Sequence, residues 1–152
     1  MIIEGKFKLN APIQEVWDFV LEKETLSSCI PGVESIEAID DKSYRTVVKQ
    51  KVGPISVRFK FVTTLAEVDP PKYLKAVGRG ADLGKAGTFE QETIVNLNEL
   101  SAEEVEISYS SSVKVVGRLA IFGDRIMRAK AKEVGDIFTK NLQERLKKLH
   151  KQ

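Results

Sequence analysis

Cys29 is the single cysteine of this 152-residue chain, and His150, third from the end, is its single histidine. A nucleophilic cysteine needs a nearby base, and an imidazole at a chain terminus is poorly placed to be one. Cys29 therefore reads as a small apolar packing residue. The same shortage of ligands leaves no tetrahedral zinc set, and a Ser-His-Asp arrangement would have to draw His150 out of a frayed terminus. Gly84 and Gly87 lack the Lys-Ser/Thr pair that follows the glycines of a phosphate-cradling loop. Asp82, Glu90 and Glu92 are candidate acids or bases, but a period of two puts Glu90 and Glu92 together on a solvent-facing side of their strand. No catalytic residue, metal site or cofactor is expected. An enzyme would need a buried acid or base of perturbed pKa facing a cavity.

What remains is the chemistry of binding. Phe59, Phe61, Phe89, Tyr109, Val113, Phe122, Met127, Val134 and Phe138 fall on faces expected to point inward. Such residues either close-pack as core or line a pocket. Some expected inward positions are polar, which packing penalises unless each finds a partner: Lys75 and Arg79, Gln91 and Thr93, and Ser111. Arg79 offers a fixed fork of donors to a carbonyl or carboxylate, or points to solvent if the face is reversed. Gly78 and Gly80 weaken a strand unless it bends or admits something close. Gly117 and Gly123 bracket residues 118–122, which read either as a lid or as a connection whose apolar residues tuck inward.

The last stretch of the chain must position these groups. Met127, Ala131, Val134, Phe138, Leu142, Leu146 and Leu149 recur at steps of three and four, the spacing of one helix face. A helix over about 123–149 rises about 40 Å and, being only half polar, must lie along an apolar surface. Upstream, strands alternate from Ile3 to Leu9 and from Val33 to about Val116, separated by turns at 40–43, Gly53-Pro54, Asp69-Pro70-Pro71, 84–87 and 101–103. Between the first strand and the rest, Asn10 stands as an N-cap ahead of Pro12, opening a short helix, and a second helical piece ends at Ile30-Pro31-Gly32. The order predicts an α+β fold: a curved antiparallel sheet of about seven strands around one long C-terminal helix, the first strand returning to pair with the last.

Charged residues make up 30% and hydrophobic ones 42%, with a net charge of +2. Interspersed charges leave no basic stripe for nucleic acid, and Lys147, Lys148, His150 and Lys151 suit the negative end of a helix dipole. The start lacks a signal-peptide pattern and no apolar run is long enough to span a bilayer, so a cytoplasmic location is expected.

Three patches give the chain a family likeness. Pro12, Val16 and Trp17 begin the first, which continues through Leu26, Cys29-Ile30-Pro31-Gly32 and Glu34. Gly78-Arg79-Gly80 is the second. Tyr109, Val113 to Ala120, Phe122-Gly123 and Arg125-Ile126 make the third. Across nearly the whole chain these resemble the carbon monoxide dehydrogenase G-subunit (CoxG) family of the SRPBCC, START-like or Bet v 1-like superfamily. The resemblance implies one helix-grip domain over residues 1–152, with short helices at about 11–21 and 25–30 and a long one at about 123–149. It implies an accessory protein of molybdenum hydroxylases, with a sheet-helix pocket for a hydrophobic small molecule such as an isoprenoid quinone. Its expected partners are that ligand, a redox-enzyme subunit and the inner face of a membrane. On that reading the pocket is lined by Phe59, Phe61, Arg79, Phe89, Tyr109, Val113, Leu119, Phe122, Met127, Val134 and Phe138, and entered past Cys29, Ile30, Pro31 and Gly32. Two rival readings stay open: a cyclase, dehydratase or hydrolase on an aromatic or polyketide-like substrate, and an adaptor or maturation factor that binds through residues 119–128. Val33 stands where many relatives carry a second cysteine, and Val116 and Arg118 also depart from the pattern.

Overall fold

A computed structural model describes residues 1–22, 25, 28–84 and 87–150. The alternating segments form seven strands: β1 (Ile2–Leu9), β2 (Val33–Ala38), β3 (Ser43–Val52), β4 (Ile55–Asp69), β5 (Tyr73–Asp82), β6 (Gly87–Ser101) and β7 (Glu104–Gly117). They lie in the order β1-β7-β6-β5-β4-β3-β2. Short turns leave each consecutive pair from β2 to β7 antiparallel, and β1 returns to pair with β7 in the register Gly5↔Tyr109 and Leu9↔Val105. Helices α1 (Ile13–Leu21) and α2 (Gly123–His150) lie against this sheet, and a 3-10 turn at Arg118–Phe122 leads into α2. Positive φ at Gly117 (108°) and Gly123 (72°) sets off that turn, a conformation glycine adopts without strain.

The start of α1 differs from the pattern reading. Its N-cap is Pro12 rather than Asn10, with extended backbone and no side-chain cap bond. The Pro12 carbonyl nevertheless accepts the first helical bond, from Val16 N at 3.0 Å. Of the second helical piece expected at 25–30, Thr25, Ser28 and Cys29 have helical backbone, while Leu26 and Ser27 lie outside the described residues.

Two apolar clusters hold the sheet to the helices. The larger joins Val16, Trp17 and Phe19 of α1 to Leu74, Leu97, Val105 and Ile107 of the sheet and to Leu142 and Leu146 of α2. Each fully buried side chain of this size contributes roughly 1.5–3 kcal/mol. The smaller gathers Val52, Val57 and Leu119 at the opposite end, with Phe59, Phe122 and Met127 packed against it. Polar bonds tie α2 along the free edge of β1: Arg128 Nη1 donates to the Ile2 carbonyl at 2.6 Å and Gln143 Nε2 to the Lys8 carbonyl at 3.0 Å. Lys147, Lys148 and His150 occupy its last turn, where cations are favoured.

Candidate functional site

The sheet's inner face is built from rows of residues in register across the strands. One row reads Thr46, Phe61, Gly80, Phe89 and Val115; the next Tyr44, Thr63, Gly78, Gln91 and Val113; a third Leu65, Ala76, Thr93 and Ser111. These rows form a middle section between the two clusters. Phe61, Phe89, Tyr109 and Val113 on the sheet, and Val134 on α2, pack in neither cluster and stay partly exposed. Close-packed interiors do not leave side chains of this size half wet. The helix stretch between Met127 and Phe138 contributes only Ala131, Val134 and Gly135 as half-buried apolar residues, and the sheet contributes Gly78, Gly80 and Ala76. The groups that meet across this section are small on both sides.

Aromatic rings wall one side of this space. Phe59 and Phe89 meet edge to face with centroids 5.0 Å apart, and Phe61 and Phe89 at 5.3 Å. Phe61 and Phe89 stand on strands separated by β5, yet their rings touch because the residue between them is Gly80. A β carbon there would fall on Cβ of Phe61. The close approach expected of Gly80 is therefore that of two rings over its backbone.

A polar row crosses the same apolar face. Gln91 Nε2 donates to Thr93 Oγ1 at 2.7 Å, and the Thr93 and Ser111 hydroxyls lie 2.8 Å apart. Tyr44 and Thr63 add a second hydroxyl pair; burial pushes the Tyr44 phenol above its ordinary value and the Thr63 bond pulls it partly back. The Thr46 hydroxyl is buried and has no hydrogen-bond partner among the described residues. Tyr44, Thr46 and Thr63 are absent from the sequence-based lining, although their alternation with Val48 and Phe61 was a signal once β3 and β4 were phased.

Arg79 requires a correction. It is exposed on the outer face, in register with Val62 and Glu90. Lys75 is outside as well, 3.2 Å from Glu92. The inner side of β5 is Leu74, Ala76, Gly78, Gly80 and Asp82. Asp82 closes the strand end, where its Oδ1 accepts the Arg58 amide at 2.8 Å.

The other expected lining residues divide by position. Leu119 is fully buried in the smaller cluster with Phe122 and Met127 against it, and Phe138 packs on the larger one. Cys29 is buried in the larger cluster, away from any rim, and Asn141 of α2 donates to its carbonyl at 3.1 Å. Desolvation raises the Cys29 thiol pKa above its ordinary value, with Ser28 and Arg145 pulling it down. Ile30 is half-buried, while Pro31 and Gly32 border an open hollow of about 420 Å³ with Lys49 and Gln50.

A second opening, of about 480 Å³, lies between β1 and α2 and is lined by Gly5, Phe7, Lys6, Lys132, Thr139 and Tyr109 among others. Tyr109 belongs to both places: its ring covers Gly5, and a β carbon on Gly135 would sit 3.4 Å from its hydroxyl. At the far end of the sheet, Leu83 (57% exposed), Val116 (53%) and Ile121 (76%) protrude, with Ile126 beside them on α2. Lys51, Arg118 and Arg125 are exposed at the same end.

A family profile matches residues 5–147. The chain belongs to the carbon monoxide dehydrogenase G-subunit (CoxG) family. Among solved structures, this CoxG-family chain is similar to a conserved protein from Geobacillus kaustophilus, with 24% identity, a TM-score of 0.90, and coverage of 97% of this chain and 96% of that one. A START superfamily protein from Mycobacterium smegmatis matches with 14% identity and a TM-score of 0.75 over 97% and 98% of the two chains. Ara h 8.0201 matches with 12% identity and a TM-score of 0.62 over 96% and 97%. These give the CoxG-family chain a START/Bet v 1-like fold. No curated protein sequence matches it significantly. No helix among its described residues is long and apolar enough to cross a membrane.

Proposed function

We propose that this chain is a non-catalytic carrier that holds a hydrophobic molecule between the sheet and α2 on behalf of a molybdenum hydroxylase of the carbon monoxide dehydrogenase type. The observation that carries the reading is the middle section, where Phe61, Phe89, Tyr109, Val113 and Val134 stay partly exposed and belong to neither core cluster. Such a space is mostly apolar with a few placed polar groups, as ligand sites are. An isoprenoid quinone suits a protein that serves an enzyme which must pass electrons onward. The end bearing Leu83, Val116, Ile121 and Ile126 with Lys51, Arg118 and Arg125 supports a peripheral membrane contact, since apolar side chains enter the interface while cations meet anionic headgroups.

The test is solvent extraction and native mass spectrometry of the purified chain, followed by titration with a short-chain ubiquinone. A co-purifying lipophile, or saturable quinone binding that Val134→Trp abolishes while the far-ultraviolet spectrum is unchanged, is the expected result. An extract free of lipophiles together with no quinone binding ends the reading.

A further inference from the structure

We infer that the guest of the middle section is a neutral lipophile bearing a hydrogen-bonding oxygen, and that this oxygen docks on the Gln91, Thr93 and Ser111 row; the inference rests on the carrier reading. A count of donors leads there. Gln91 Nε2 donates to Thr93 Oγ1, and the Thr93 and Ser111 hydroxyls are bonded to each other. Two hydroxyls carry two hydrogens, and the bond between them uses one whichever side donates. The second hydrogen, on Ser111 (8% exposed) or on the half-buried Thr93, has no acceptor among the described residues. A ligand carbonyl, ester or ether oxygen would accept it. Gln91 Oε1 is likewise without a partner among the described residues and would accept from a ligand hydroxyl.

The surroundings decide the charge. Around the row on the sheet stand Thr63, Leu65, Ala76, Gly78, Val95 and Val113, with the phenols of Tyr44 and Tyr109 beyond them and no carboxylate or cation among these. The half-buried Lys130 of α2 is already held by Glu133 at 3.1 Å, so an ionised carboxylate or phosphate brought here would find one hydroxyl hydrogen and no unpaired cation on the sheet, and an uncompensated buried charge is far costlier than an unmatched neutral oxygen. A neutral headgroup fits the row, whereas a fatty-acid anion does not.

Three fluorescent probes separate these cases on the full chain near neutral pH: cis-parinaric acid, its methyl ester, and diphenylhexatriene, which has no headgroup. The ester should bind at least about tenfold more tightly than the acid. The double variant Thr93→Val, Ser111→Ala should weaken the ester by about fivefold and diphenylhexatriene by less than about twofold; Thr93→Ser, which keeps the hydroxyl, should retain the ester affinity. Equal affinities for acid and ester, or equal losses for ester and diphenylhexatriene, overturn this inference while leaving the carrier reading intact. Failure of all three probes to bind overturns this inference, and overturns the carrier reading as well if quinone does not bind and the extract holds no lipophile.

Discussion

The phenol ring of Tyr109 lies over Gly5, its cross-strand partner, so closely that a β carbon at position 5 would stand 2.6 Å from the ring's Cζ. A side chain cannot be added there without driving the ring aside, which typically costs about 1–3 kcal/mol. Gly5→Ala should lower stability by that amount in urea unfolding, and Tyr109→Ala should cancel most of the penalty in the double variant. Additive losses would mean that the two residues do not act on each other.

Gly78 and Gly80 occupy the same strand and the same inner face but differ in what lies above them. A β carbon at Gly78 meets nothing closer than 3.8 Å, whereas one at Gly80 falls on Phe61. Gly78→Ala should be within about 0.5 kcal/mol of the wild type. Gly80→Ala should lose about 1–3 kcal/mol and part the Phe61 and Phe89 rings. Thermal unfolding of the two variants side by side measures the contrast.

Burial pushes the Cys29 thiol up, with Ser28 and Arg145 opposing. The native state therefore keeps that proton longer than the unfolded chain does. Its contribution is complete below the unfolded thiol's pKa of about 8.5 and is lost as pH rises through the higher native value. The stability gap between wild type and Cys29→Ala should be constant from neutral pH to about pH 8 and narrow above it. A gap that widens with alkalinity would contradict the burial.

Arg79 projects from the outer face. Arg79→Ala should leave the affinity for a quinone or a neutral fluorescent lipophile unchanged within about twofold, because surface substitutions away from a site change little. A large loss in equilibrium binding would return Arg79 to the lining.

Much of this architecture was legible in the residues. The helix face from Met127 to Leu146 and the alternation of Ile55 to Leu65 are long and regular, and the gap between the first strand and the others implied the β1–β7 pairing that closes the sheet. The face of β5 was not legible. Both of its sides carry apolar residues, Tyr73 and Val77 on one and Leu74 and Ala76 on the other. The deciding inner positions, Gly78 and Gly80, have no side chain to give a hydropathy sign. Nor did spacing locate the start of α1, since Asn10 has the right chemistry for a cap but Pro12 holds the position. The relation of Tyr109 to Gly5 and Gly135 joins three distant parts of the chain and exists only in the folded arrangement.

The two apolar clusters are unequal. Among the described residues, the one that grips Leu142 and Leu146 has twelve buried members, and the one around Leu119 has three. Mechanically, α2 is a beam clamped at its carboxyl end and only propped at the other. Thermal excursions should lift the propped end first, so that amides of residues 124–131 exchange with deuterated solvent before those of 138–146. The mouth so opened would face the protruding Ile121.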